Sequence, residues 1–306
     1  MTDPAFWTPA AARPQLWRTA LGIFLVALIW IGTAYGLILL AARVSGLSPQ
    51  MVMDTTRWAG TALFFLTFIG LHLGLAIVLP LLHRRGYTSL FGPRGRLNHR
   101  HLRNGAAVML AVAGGLYALM AVEHLVLPEG VSPAVTRLRP AGSWLISLAP
   151  ALALIFIQVA AEEVLFRGYL LQQLRARAAS PLVWALAPAL VFGVLHFNPA
   201  TYGYVNASAY VFNAATVGTL TAFVTLRTGN LGATIGLHFG NNASIALFGI
   251  EGELSGFALY GIAMDPASGY ATYSILTQTF AVVAVFALWW RWMARHRPIA
   301  NPPHAA

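Results

Sequence analysis

The sequence predicts an all-α, polytopic integral membrane protein of about eight transmembrane helices, forming one membrane domain over residues 1–306. Three observations lead there. Of the 306 residues, 58% are hydrophobic and 9% charged, with a mean hydropathy of +0.67; soluble domains carry about 25% charged residues. The apolar residues gather into runs of about 20, the length that crosses a hydrocarbon core of about 30 Å. The 19 basic residues, all of them arginine, lie mainly between alternate runs.

The runs are 19–42, 59–82, 104–127, 143–171, 181–198, 207–226, 230–250 and 273–293. Residues 1–18 hold three prolines and lead into a run too long for a signal h-region, so no cleavable signal peptide is expected. The second and third runs flank a basic loop, 83–103. The fourth is long and carries two adjacent glutamates. The fifth is short and ends at Asn198-Pro199. The eighth leads into a tail, 294–306. With the N-terminus in the cytoplasm, fourteen arginines, Arg297 included, fall on the cytoplasmic side. Arg43, Arg57, Arg137 and Arg139 fall opposite, and Arg167 lies near the end of the fourth run. That bias predicts cytoplasmic N- and C-termini.

The pI near 10.7 therefore reflects orientation and the anionic lipid bilayer facing loop 83–103, and no nucleic-acid partner is expected. Cysteine is absent, which excludes disulfides, thiolate ligands and cysteine nucleophiles. The lack of lysine, with abundant Ala, Gly, Arg and Pro, suggests a GC-rich bacterial genome and a multi-pass protein of the cell (inner) membrane. Gly32/Gly36 and Gly236/Gly240 have the spacing of close helix packing.

Ionisable groups inside apolar helices are costly and mark partners or cavities. Here they are His72, Glu123, His124, Glu162, Glu163, Arg167, His196 and His238, with Asn242 as a strongly polar neutral group. Glu163 and Arg167 stand four apart, so they share a helix face and can pair. Glu162 points about 100° away without a local partner. With a turn at 178–180, Glu162 and His196 lie at similar distances from the turn, at the same level of two antiparallel helices. Phe192 is one turn before His196 and can pack beneath its ring. His238 is compatible with the same layer, and Asn242 shares its face. These four residues supply an acid/base carboxylate, an imidazole and two hydrogen-bond donors, which suits water attack on a carbonyl. Glu162, His196 and His238 also have the composition of a zinc site, and spacing does not separate the two. His72 and Glu123-His124 lie outside these motifs and read as packing or interface residues; as members of a proton path they would instead suggest a proton-coupled transporter.

Three stretches in order, EEVLFRG at Glu162–Gly168, FGVLH at Phe192–His196 and HFGNN at His238–Asn242, resemble the CAAX protease and bacteriocin-processing (CPBP, or Abi) family of intramembrane proteases. That family is related to the type II CAAX prenyl endopeptidases. The motif-bearing core covers 143–250. The resemblance implies eight helices around a conical or funnel-like cavity open to the cytoplasm. It implies Glu162 as the base that activates water, His196 as its aid, His238 and Asn242 as the oxyanion hole, and Glu163 and Arg167 as braces. Asn242 favours a reaction with no metal or other cofactor; Zn²⁺ held by Glu162, His196 and His238 is the alternative. The implied substrate is a membrane-anchored peptide or protein. A non-catalytic bacteriocin-immunity protein would keep the fold without needing the intact residue set.

Overall fold

The computed structural model describes residues 4–296, so Arg297 and the remainder of the expected tail lie outside the described residues. Among the described residues, six helices are long and apolar enough to cross a membrane: α1 (Leu16–Ser45), α2 (Trp58–His83), α3 (His99–Val126), α4 (Ala141–Arg175), α6 (Pro199–Thr228) and α8 (Gly269–His296). By length and composition this is an all-α multi-pass membrane protein. Two expected spans are shorter. α5 is Leu182–Val194, and α7 is Gly232–Ala243.

The differences from the expected spans have local causes. The run 181–198 stops as helix at Val194, because Asn198 caps the next helix: its side chain accepts from the Thr201 N–H at 3.4 Å, with Pro199 at the first helical position. α6 therefore begins before residue 207, with a break at Gly203 (φ 64°). The run 230–250 is not one helix. After Ala243 the chain makes a tight turn at Ser244–Ala246 and then a strand, β2 (Phe248–Ile250). β2 pairs in parallel with β3 (Tyr260–Ala263), and β1 (Ala134–Arg137) pairs antiparallel with the other side of β3. Apolar composition alone does not distinguish such a buried strand from a helix end.

The core lies where α2 packs on α1 and α4, and α4 on α7, around Val26, Phe65, Leu75, Ile155, Val159, Tyr169 and Ile235, all buried. α3 and α7 approach closely along glycines. A Cβ on Gly236 would strike the Leu102 carbonyl, and one on Gly240 would lie 2.6 Å from the Ala106 oxygen. Gly32 and Gly36 of α1, in contrast, face open space.

The two ends of the molecule differ in charge. Arg18 donates to the Leu82 carbonyl at 2.9 Å, Arg177 donates to the Pro14 carbonyl, and Asn230 donates to the Phe91 and Arg96 carbonyls. These bonds gather the arginine-rich segments at one end. The opposite end carries the sheet, with Glu251 and Glu253 beside it and Arg57 and Arg137 on that side.

Candidate functional site

α4 changes character just after the two glutamates. Val164–Leu170 forms a π-helical turn, a form that is rare and concentrated at functional sites. Glu163 and Arg167 pair across its start, with Nη1 3.1 Å from Oε1 and both side chains almost fully buried. The Arg167 guanidinium also lies over the Phe192 ring, 4.8 Å from its centroid.

From α7, His238 reaches both glutamates. Its Nδ1 bonds Glu163 Oε1 at 2.9 Å, and its Nε2 stands 3.7 Å from Glu162 Oε2. An ionised carboxylate only accepts, so this contact places a hydrogen on Nδ1. Glu163 is thus more than the partner of Arg167; it also sets the His238 ring. One oxygen of each glutamate, Oε2, is buried without a hydrogen bond among the described residues.

His196 and Glu162 line the same cavity. Among the described residues no hydrogen bond or ion pair joins them, and His238 is the imidazole that approaches Glu162. Because α5 ends at Val194, His196 lies past the helix end and is exposed. Its Nδ1 bonds the Phe192 carbonyl at 2.8 Å and its ring packs edge-on against Phe192, with centroids 4.7 Å apart. A carbonyl also only accepts, so Nε2 of the neutral ring holds a lone pair.

Asn242 belongs to a chain of carboxamides. Gln278 of α8 donates to Asn241 at 3.0 Å, Asn241 donates to the Asn242 oxygen at 3.0 Å, and Asn242 Nδ2 donates to Gln158 Oε1 at 2.9 Å. One N–H of Asn242 remains for a further acceptor. Gln158, Asn241 and Gln278 had no assigned role in the sequence reading. Gln158 could have been found from its place one turn before Glu162, on the same face.

Glu162, Glu163, Arg167, Phe192, His196, His238 and Asn242 all line one cavity of about 1730 Å³, which runs along α3 from Arg100 to Glu123. The other intramembrane polar residues are otherwise engaged. His72 is bonded to the Tyr87 hydroxyl at 2.6 Å and to the Ile157 carbonyl at 3.0 Å. Glu123 accepts from Tyr270 and Tyr273 at 2.6 and 2.5 Å, and His124 is bonded to Ser132 at 3.0 Å.

Comparison with known proteins fits the motif-bearing helices. Residues 143–244 match the type II CAAX prenyl endopeptidase Rce1-like family. This Rce1-like segment opens in α4 and closes just after α7, so it contains all three motifs. At the level of family it aligns the segment with CAAX-type intramembrane proteases. A similar protein is YyaK of Bacillus subtilis (strain 168), described as uncharacterized. It is 27% identical over 177 residues, 57% of this chain and 56% of YyaK. The chain thus spans little more than half the length of that relative.

Proposed function

We propose that this protein is an intramembrane endopeptidase that hydrolyses a peptide bond in a membrane-associated or lipid-anchored peptide or protein. One observation carries the reading: Glu162 Oε2 stands 3.7 Å from His238 Nε2, and Glu162 lines a cavity that also holds Asn242 and His196. That is a carboxylate base next to hydrogen-bond donors, inside a large chamber among apolar helices.

In the proposed reaction, Glu162 takes a proton from a water while the water oxygen attacks the carbonyl carbon. The His196 Nε2 lone pair accepts from the same water and orients it. The charge that develops on the carbonyl oxygen is met by the remaining N–H of Asn242 and by Nε2–H of a protonated His238. Glu163 faces the other nitrogen of that imidazolium. The proton on Glu162 then passes to the departing amine. Arg167 holds Glu163 in place through their ion pair, so it acts through other residues. The protein lies in the cell (inner) membrane with both termini in the cytoplasm, consistent with the arginine-rich end formed by residues 13–18, 84–103 and 175–177.

The donor set does not fit a preformed zinc site. Tetrahedral zinc needs its donors converged at about 2.0–2.2 Å from one point, and among the described residues no three His, Asp or Glu side chains are grouped to hold a metal. No step is therefore assigned to a metal.

The test compares membrane peptides from cells carrying the wild-type protein and Glu162→Ala, followed by cleavage assays with purified Glu162→Gln. Peptides that depend on Glu162, and loss of cleavage in the folded variant, are expected. Equal peptide sets, or full cleavage by Glu162→Gln, would remove the proposal.

A further inference from the structure

We infer that the free edge of β2 is a binding site for substrate backbone, taking an extended peptide segment as an added strand within the cavity. The inference rests on the proteolytic reading above.

β2 lies at the edge of the sheet, with β3 as its single neighbour in the order β1-β3-β2. The ladder phase follows from two bonds: Tyr260 N–H donates to the Leu247 carbonyl at 2.9 Å, and Glu251 N–H donates to the Ile262 carbonyl at 3.1 Å. With Phe248 opposite Tyr260 and Ile250 opposite Ile262, the parallel pattern commits the N–H and C=O of Gly249 to β3. The intervening groups point the other way. The Ile250 carbonyl accepts from Glu253 at 3.1 Å. The N–H and C=O of Phe248 and the N–H of Ile250 have no hydrogen bond among the described residues. Backbone N–H and C=O groups are obligatory hydrogen-bonding groups, so water or a ligand meets those that the protein leaves unpaired.

This edge borders the proposed chemistry. Phe248, Gly249 and Ile250 line the cavity that holds Glu162, His238 and Asn242. Gly249 lets the strand pack closely on its other side, where a Cβ would lie 3.0 Å from the Ala258 Cβ and 3.2 Å from the Ser255 Cα. Phe248 follows Asn242 by six residues, a path of at most about 22 Å. A peptide extended at about 3.3 Å per residue covers that span with roughly seven residues.

The substrate's own physics supplies the reason for such a site. A membrane-embedded segment is helical because lipid offers no partners to its N–H and C=O groups. To expose a scissile carbonyl it must unwind, which frees those groups. The β2 edge offers a donor, an acceptor and a second donor in the spacing of a strand, so it replaces part of what unwinding loses. The Phe248 ring, flanked by Tyr117 at 4.5 Å and Tyr260 at 5.4 Å, forms an aromatic shelf beside the edge suited to apolar side chains at alternate positions.

The test uses the full-length protein in liposomes and a synthetic peptide whose cleavage in cells depends on Glu162. Its backbone amides are N-methylated one at a time. KM should rise roughly ten-fold at alternate positions on one side of the cleaved bond and change less than about two-fold between them. Ile250→Pro removes one outward N–H and no ladder bond. It should raise KM by a similar factor, cancel the sensitivity at one methylated position, and leave kcat and the thermal midpoint unchanged. If that variant does not fold, the N-methyl profile on the wild-type protein decides. A profile without the two-residue period, or a folded Ile250→Pro with wild-type KM, overturns the docking site and leaves proteolysis standing. Absence of any Glu162-dependent cleavage overturns both.

Discussion

Replacing Glu163 with glutamine should destabilise the protein more than any other near-isosteric change in the candidate site. Glu163 is 1% exposed and Arg167 4%, and their charged atoms lie 3.1 Å apart. At an effective dielectric constant of about 20, unit charges at that distance attract by about 5 kcal/mol. Removing one partner leaves the other charge buried and uncompensated, which costs about 3–5 kcal/mol. Glu163→Gln also weakens the charge-assisted bond from His238. Arg167→Met is the milder single change, because Glu163 keeps His238. The double variant Glu163→Gln/Arg167→Met contains neither charge, so its loss should fall at least ~2 kcal/mol short of the summed single losses. Equilibrium unfolding in detergent micelles, run on the four proteins, measures the coupling directly. Additivity within about 0.5 kcal/mol would refute the buried pair as the element that makes these charges tolerable.

Other predictions concern the reaction and the helix packing. Asn242→Ala should lower kcat by roughly 10²–10³ as an oxyanion donor, and Gln158→Leu, which frees the Asn242 amide to rotate, should lower it by roughly ten-fold. Wild-type rates in both would assign the pair to packing. Dialysis against a strong chelator should leave cleavage intact; a loss restored by added zinc would replace the metal-free reaction. Gly236→Ala forces a methyl against the Leu102 carbonyl and should cost about 1–3 kcal/mol or more, while Gly32→Ala, facing open space, should stay within about 0.5 kcal/mol. Thermal unfolding of the two variants separates these outcomes.

Much of the fold was legible because membrane insertion imposes a coarse rule. Long apolar runs become helices, and the ends of α1, α2, α3 and α8 fall within six residues of the expected spans. The misreadings occurred where the rule gives no discrimination. In 181–198 the helix ended early at a cap signal, Asn198-Pro199, that a hydropathy window averages away. In 230–250 the last residues were apolar but belonged to a strand whose partners, Tyr260–Ala263, are contributed from beyond the run. Within the site, the Glu163–Arg167 pair was readable because it depends on i,i+4 spacing alone. The approach of His238 to Glu162 was not.

By itself, then, the sequence determined the membrane class, the segregation of arginines and the placement of two glutamates, one histidine and an asparagine on apolar helices. Each of these depends on local composition or on spacing within one helix. Tertiary structure alone decided which imidazole stands at 3.7 Å from Glu162, that Glu163 serves both Arg167 and His238, and that a carboxamide chain holds Asn242. It also decided that β2, an edge strand, borders the same cavity. Those relations join residues up to 120 positions apart (Gln158 to Gln278), and no helical or strand period carries information over that distance.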